Sequence, residues 1–402
     1  MENRTIAHWL TRDAFLLSLS AFFADLGYQA VMALFPLFLV IQLHQSVFVY
    51  GIVTGISFGI GSFFAYLGGK AGDRFNKKRI VIIGNLFIPL MSLAGLYVNV
   101  WSAGILFILG WWARYFRTPA RRALLVEVSP PEHRSKIFGF MHAMDIGGGM
   151  LAVLYALLFL FLKVPINRIL FLTAIPLLIS TSVLFFVTQE KKYATASSIK
   201  DQQVKSKKKH VFSNGTFIAL LIAATLYGFS FYNLGFPILT VAKEAKSAIY
   251  GVLTYAVYLG ISAISGYVIG SIRLKPLKAL WEFGYLPSAL ASLAIGLTYL
   301  FHLSIPTYYL AVAVLGAGMG AVETYEPTLT SVLVNSQSLS TGMGWLSVSR
   351  SIGQFLSNII MGFLFTFGEF NSYFYAFVAS LLATIVLFMA QRRYKSERVH
   401  MS

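Results

Sequence analysis

Seven ionisable residues interrupt stretches of sequence that are otherwise apolar: Asp25, Arg114, Arg117, Asp145, Glu323, Glu326 and Arg350. A charge inside hydrocarbon costs several kcal/mol unless it is paired or faces water. Each of these groups therefore needs a partner or a function. Four carboxylates against three guanidiniums leave one acid over. An acid without a partner in a low-dielectric cavity is held protonated to higher pH by desolvation, which is what reversible proton carriage requires. Other chemistries have little to work with. The chain has no cysteine, and its seven histidines are scattered with no HExxH spacing, so thiol, disulfide and metal chemistry are not expected. There is no Gly-rich GKS/T loop for ATP, and no cofactor is expected.

Charges of this kind need a scaffold that lipid accepts. Of 402 residues, 57% are apolar and only 12% charged, and the mean hydropathy is +0.71. A soluble domain carries about 25% charged residues, so lipid must be the solvent for most of this surface. A spanning helix takes about 20 mainly apolar residues. Twelve segments qualify, at 13–41, 48–69, 80–98, 101–126, 135–162, 167–188, 213–241, 248–271, 279–299, 306–333, 338–366 and 371–391. The first is too long for a signal peptide and carries Asp25, so it reads as helix 1.

The basic residues set the orientation. With both termini in the cytoplasm, 26 of the 32 Lys and Arg fall on cytoplasmic segments and four, Lys163, Arg168, Lys243 and Lys246, on the outside. That asymmetry is the positive-inside pattern. The net charge of +17 is then explained by insertion beside anionic inner-leaflet lipid, and no nucleic-acid partner is expected. The expected location is the cytoplasmic (inner) membrane.

Shifting the chain by about 200 residues brings similar segments together. Phe35-Pro36-Leu37 lies over Phe236-Pro237-Ile238, Tyr50-Gly51-Ile52 over Tyr250-Gly251-Val252, and Pro119 over Pro327. The matches are collinear, and the lysine-rich segment 189–212 falls between the copies. The expected fold is all-α and integral to the membrane, with 12 transmembrane helices in two pseudo-twofold-related six-helix bundles. These are residues 1–188 and 213–402, joined by a basic cytoplasmic linker at 189–212. The repeat relates the buried charges in opposite sign: Asp145 aligns with Arg350, and the Arg114/Arg117 stretch falls within one residue of Glu323/Glu326. Each half is thus expected to close its own pair, Arg114 with Asp145 and Arg350 with Glu323 or Glu326.

The segment Gly69-Lys70-Ala71-Gly72-Asp73-Arg74-Phe75-Asn76-Lys77-Lys78-Arg79 resembles the signature loop between helices 2 and 3 of the major facilitator superfamily. It has Asn76 where glycine is usual; asparagine tolerates a left-handed backbone, so the turn is expected to be kept. A second segment, from Arg117-Thr118-Pro119-Ala120 through Pro130-Pro131-Glu132-His133-Arg134 to Phe138-Gly139, is similar to the helix 4 to helix 5 junction of that superfamily. The resemblance implies that Asp73, with Gly69, Arg74, Lys77 and Lys78, forms a cytoplasmic latch against the N-terminus of helix 11, where the helix dipole favours a negative charge. The plainer reading is that these residues are topogenic charge with Asp73 paired among them. In the second copy, Arg273 stands opposite Asp73, so that copy has lost the latch.

The resemblance also implies that helices 1, 4, 7 and 10 line the substrate path. Asp25, Arg114, Arg117, Tyr227, Tyr232, Asn233 and Glu323 are then the candidate cavity residues, and Asp145 supports from behind. Asp25, Glu323 and Glu326 are the candidate proton carriers, with a buried structural lock as the alternative role. His142, one turn before Asp145, is either a relay or structural, and Glu282 a snorkelling or capping acid. The function expected is secondary active transport by alternating access, most simply proton-coupled export of a small organic or amphipathic solute. Proton-coupled uptake of a small organic anion, drawing on Arg114 and Arg117, is the second reading, and a membrane-embedded enzyme or receptor the third. The expected partners are the solute, H+ and membrane lipid, and the chain is expected to act as a monomer.

Overall fold

The computed structural model describes residues 5–7, 9–130, 133–188, 215–272, 274–334 and 339–399. The linker 189–212 and Arg273 lie outside the described residues. Within lipid every backbone N–H and C=O must be satisfied by the segment itself, which leaves the helix as the solution for each apolar run. The helices are α1 (Arg12–Gln42), α2 (Val47–Arg74), α3 (Lys77–Leu96), α4 (Val100–Val128), α5 (Arg134–Phe161) and α6 (Ile166–Phe185), followed by α7 (Gly215–Glu244), α8 (Ala248–Ser271), α9 (Pro276–Leu300), α10 (Ile305–Leu333), α11 (Leu339–Phe365) and α12 (Glu369–Val399). Ten are long and apolar enough to cross a membrane by length and composition. The two that fall short are α4 and α11, the helices that carry Arg114, Arg117 and Arg121, and Arg350.

Several helices are interrupted. The α2 helix breaks at Ile60 and α7 opens between Ser230 and Gly235. Pro119 and Pro327 each sit inside a continuous helix. A short hairpin precedes α1, pairing Thr5–Ala7 with Leu10–Thr11. Its last residue, Thr11, caps α1 by accepting from the Ala14 N–H at 3.2 Å and donates to the Val128 carbonyl at 2.9 Å, which ties the start of α1 to the end of α4.

By packing, the chain divides into two units. One comprises residues 1–43 and 60–206, the other residues 44–59 and 207–402. The first half of α2 thus packs with the second unit, and three observations explain why. Thr54 donates to the Asn358 side chain at 3.4 Å, Tyr50 donates to Asn233 at 2.8 Å, and a Cβ at Gly51 would lie 2.4 Å from the Asn358 carbonyl oxygen. Within the first unit, α1 runs against α5 and α6, and α4 against α2 and α3. Within the second, α8 lies on α10 and α12 on α7 and α9.

Candidate functional site

The first unit gathers four of its charges around α1, α4 and α5. Asp25 is 4% exposed. One of its oxygens accepts a hydrogen bond from the Tyr28 hydroxyl one turn along α1, and the other has no hydrogen-bond partner among the described residues. The Tyr28 oxygen in turn accepts from Arg114 Nη2 at 3.1 Å. The Arg114 guanidinium lies 4.4 Å from the Tyr28 ring centroid and 4.8 Å from that of Trp111. Arg114 therefore reaches Asp25 through a phenol and is held between two aromatic faces, a favourable setting for a desolvated cation.

The expected Arg114–Asp145 pair is not formed. Asp145 lies 3.7 Å from Arg121 Nη2 instead. Arg121 is two helical turns beyond Arg114, so both share a face of α4, and it is Arg121 that comes within reach of Asp145. Arg117, expected in the cavity, is 1% exposed and donates to the Asn85 side-chain oxygen on α3. Asn85 passes the network to α6 through Ser180 at 3.1 Å and Thr181 at 2.8 Å. Arg117 is thus a strut inside the unit. His142 is exposed. Glycine permits the close approach of α1 to α5: a Cβ at Gly148 would sit 2.3 Å from the Phe22 carbonyl oxygen and 3.1 Å from the Asp25 Cβ.

The second unit builds a different cluster. Arg350 on α11 meets Glu323 at 2.6 Å and Glu326 at 3.4 Å, both on α10. Three residues apart, the two acids face the same partner. Glu326 is fully buried and accepts from the Tyr285 hydroxyl at 2.6 Å, whereas the Glu323 side chain is 55% exposed. Tyr227 stacks on Tyr285 with centroids 4.3 Å apart, and its hydroxyl pairs with Ser288 at 3.0 Å. Arg350 reaches this place because α11 and α7 nearly touch: a Cβ at Gly228 would lie 2.6 Å from the Arg350 carbonyl oxygen.

Tyr227, Tyr232 and Asn233, expected to pad the cavity, are buried in the second unit and bonded there. Tyr232 pairs with Ser292 at 3.2 Å. Asn233 holds the opened stretch of α7, its side-chain oxygen accepting from the Gly235 N–H at 2.8 Å and its own N–H donating to Asn358 at 3.0 Å. Tyr227 and Tyr232, with Tyr258, Ser288 and Met319, border a small hollow at that opening.

The signature loop is arranged within the first unit. Lys77 pairs with Glu127 at 2.7 Å and Lys78 donates to the Phe185 carbonyl at 3.0 Å. Gly69 packs near Pro119, while Asp73 and Arg74 are exposed at the end of α2. Asn76 does not take the left-handed backbone expected of it. Its φ is −65° and ψ 117°, and its side chain caps α3 by accepting from the Arg79 N–H, a role asparagine performs well. Glu282, expected to snorkel or cap, pairs with Lys278 at 3.3 Å.

Both units are built of membrane-length helices, and each holds a guanidinium–carboxylate contact between two of its helices. The sequence matches the Major Facilitator Superfamily over residues 17–357, and the chain belongs to that superfamily. It is a transporter that works by alternating access, not an enzyme. No curated protein sequence matches it significantly. Among solved structures it is similar to a bacterial homologue of the human lysosomal transporter Spinster in an inward-facing and occupied conformation, with TM-score 0.72 at 16% identity over 95% of this chain and 97% of that one. It is also similar to a POT family transporter in complex with 5-aminolevulinic acid, with TM-score 0.76 at 12% identity over 96% and 97%. The inward-open xylose transporter XylE from E. coli gives TM-score 0.72 at 14% identity over 93% and 94%. At such identities the similarity carries the fold alone.

Proposed function

We propose that the protein exports a small organic or amphipathic solute in exchange for H+, with Asp25 as the proton-carrying group. One observation carries the reading. Of the four intramembrane acids, Asp145 contacts Arg121 and both Glu323 and Glu326 contact Arg350, whereas Asp25 has no ion pair among the described residues. An ionised carboxylate buried without a cation in contact is costly, and a bound proton removes that cost. Asp25 is joined to Arg114 through the Tyr28 hydroxyl, so its charge state is felt along that chain. Export is preferred to uptake of an organic anion because Arg117 donates to Asn85 and Arg114 is engaged by Tyr28 and Trp111.

The test begins with a thermal-shift screen of amphipathic and carboxylate-bearing solutes on the purified protein, followed by flux of the hit in proteoliposomes. Asp25→Asn should abolish flux driven by a pH gradient and leave solute exchange intact, since exchange needs no net proton movement. Undiminished pH-driven flux in Asp25→Asn would exclude Asp25 as the carrier.

A further inference from the structure

The second unit carries a groove of about 320 Å³ at the start of α9, lined by Leu274, Lys275, Lys278, Ala279, Glu282 and Phe283. That volume lies at the lower end of ligand-sized pockets. The two lysines are exposed, and the apolar wall continues out of the groove along the helix: Phe283 is 41% and Leu290 50% exposed. Seven residues apart, they lie on one face of α9. On a membrane-spanning helix such a face lies against acyl chains.

A second set of contacts places the groove at the level of the headgroups. Trp281 donates its indole N–H to the Gln391 side chain at 2.6 Å and packs on Phe388, whose ring lies 4.6 Å from the Arg392 guanidinium. The α8–α9 turn therefore sits beside the basic end of α12. Tryptophan and basic side chains mark the membrane–water boundary, and long lysine stems reach from apolar surface to polar headgroup.

The charges at the mouth select the ligand. Lys278 pairs with Glu282 at 3.3 Å, which leaves Lys275 as the one cation over among the groove's described lining residues. A phosphodiester bearing one negative charge balances it, and headgroup hydroxyls can donate to Glu282. We propose that this groove binds one monoanionic glycerophospholipid, its phosphodiester against Lys275 and Lys278 and an acyl chain along Phe283 and Leu290. The site is independent of the solute path and of the proton carrier.

Native mass spectrometry of the purified full-length protein, titrated with phosphatidylglycerol, phosphatidylethanolamine or phosphatidylcholine, tests the assignment. The expected result is one tightly held phosphatidylglycerol, with Lys275→Gln/Lys278→Gln lowering its affinity about 25-fold, roughly five-fold per lysine. Glu282→Gln should raise that affinity, a gain that a misfolded protein would not show. Inorganic phosphate at millimolar concentration should leave the lipid in place. Equal phosphatidylglycerol affinity in the double-lysine variant and the parent, equal affinity for all three lipids, or displacement of the lipid by phosphate would each overturn the proposal, the last in favour of a soluble-anion site.

Discussion

Replacing Arg350 by glutamine isolates the energetics of the second unit's charge cluster. The two acids it contacts are in opposite surroundings. Glu323, with its side chain 55% exposed, can rehydrate when its partner is lost, and exposed pairs are worth about 0–1 kcal/mol. Glu326 is fully buried; one oxygen keeps the Tyr285 hydroxyl at 2.6 Å, but the other has, among the described residues, only Arg350, at 3.4 Å, and no hydrogen bond. Stranding a buried charge of that kind costs about 3–5 kcal/mol. Arg350→Gln is therefore expected to lower unfolding free energy in detergent by about 3–5 kcal/mol, with Glu323→Gln changing it by less than about 1 kcal/mol. The double change Arg350→Gln with Glu326→Gln removes the stranded charge and should recover most of the loss. Equilibrium denaturation of the purified variants, followed by near-UV circular dichroism, measures all three. An Arg350→Gln cost below about 1 kcal/mol, or a double variant no better than the single, would refute the reasoning that burial of Glu326 dominates the cluster.

Two further outcomes are expected. Single cysteines introduced in place of Ser197 and Lys246 should label from opposite sides of the membrane; reaction of the Ser197 position with an impermeant reagent outside intact cells would reverse the orientation argued from the basic residues. Asp73→Asn should reduce transport several-fold while solute binding in detergent persists, if the latch implied by the resemblance is made, since a charge–dipole contact of that kind carries about 0.3–2 kcal/mol and shifts populations without unfolding the protein; full transport by that variant would remove the latch role from Asp73.

The helices were legible because their cause is local. An apolar run of spanning length in lipid has few alternatives to a helix, and the expected segment 248–271 coincides with α8, Ala248–Ser271. The interruptions were only partly legible. Pro237 cannot donate to the Asn233 carbonyl and crowds it, which favours the opening of α7 at Phe231-Tyr232-Asn233-Leu234, but what satisfies the opened stretch is distant. The backbone groups freed by the opening are met by Asn233 and Asn358, 125 residues apart. The split of α2 between two units has the same origin, since the partners Asn233 and Asn358 that hold its first half lie far along the chain.

The charge pairing shows where counting fails and geometry takes over. Four acids against three guanidiniums left one acid over, but that count does not include Arg121, seven residues beyond Arg114. With Arg121 included the numbers are equal, and arithmetic alone would leave no acid unpaired. Asp25 nevertheless has no ion pair among the described residues, because Arg117 is occupied by a neutral amide and Arg114 stops at the phenol of Tyr28. Tyr28 is the residue no charge count contains. Placed between Arg114 and Asp25, it passes a hydrogen bond from cation to anion while keeping them out of direct contact. A carboxylate in direct contact with a guanidinium would hold its charge too firmly to exchange a proton, whereas one joined through a neutral hydroxyl can accept a proton and leave the guanidinium still hydrogen-bonded to that hydroxyl. The identity of the proposed carrier therefore rests on a tyrosine one helical turn beyond the acid, a spacing that is visible in the sequence but acquires meaning only when α4 is packed against α1.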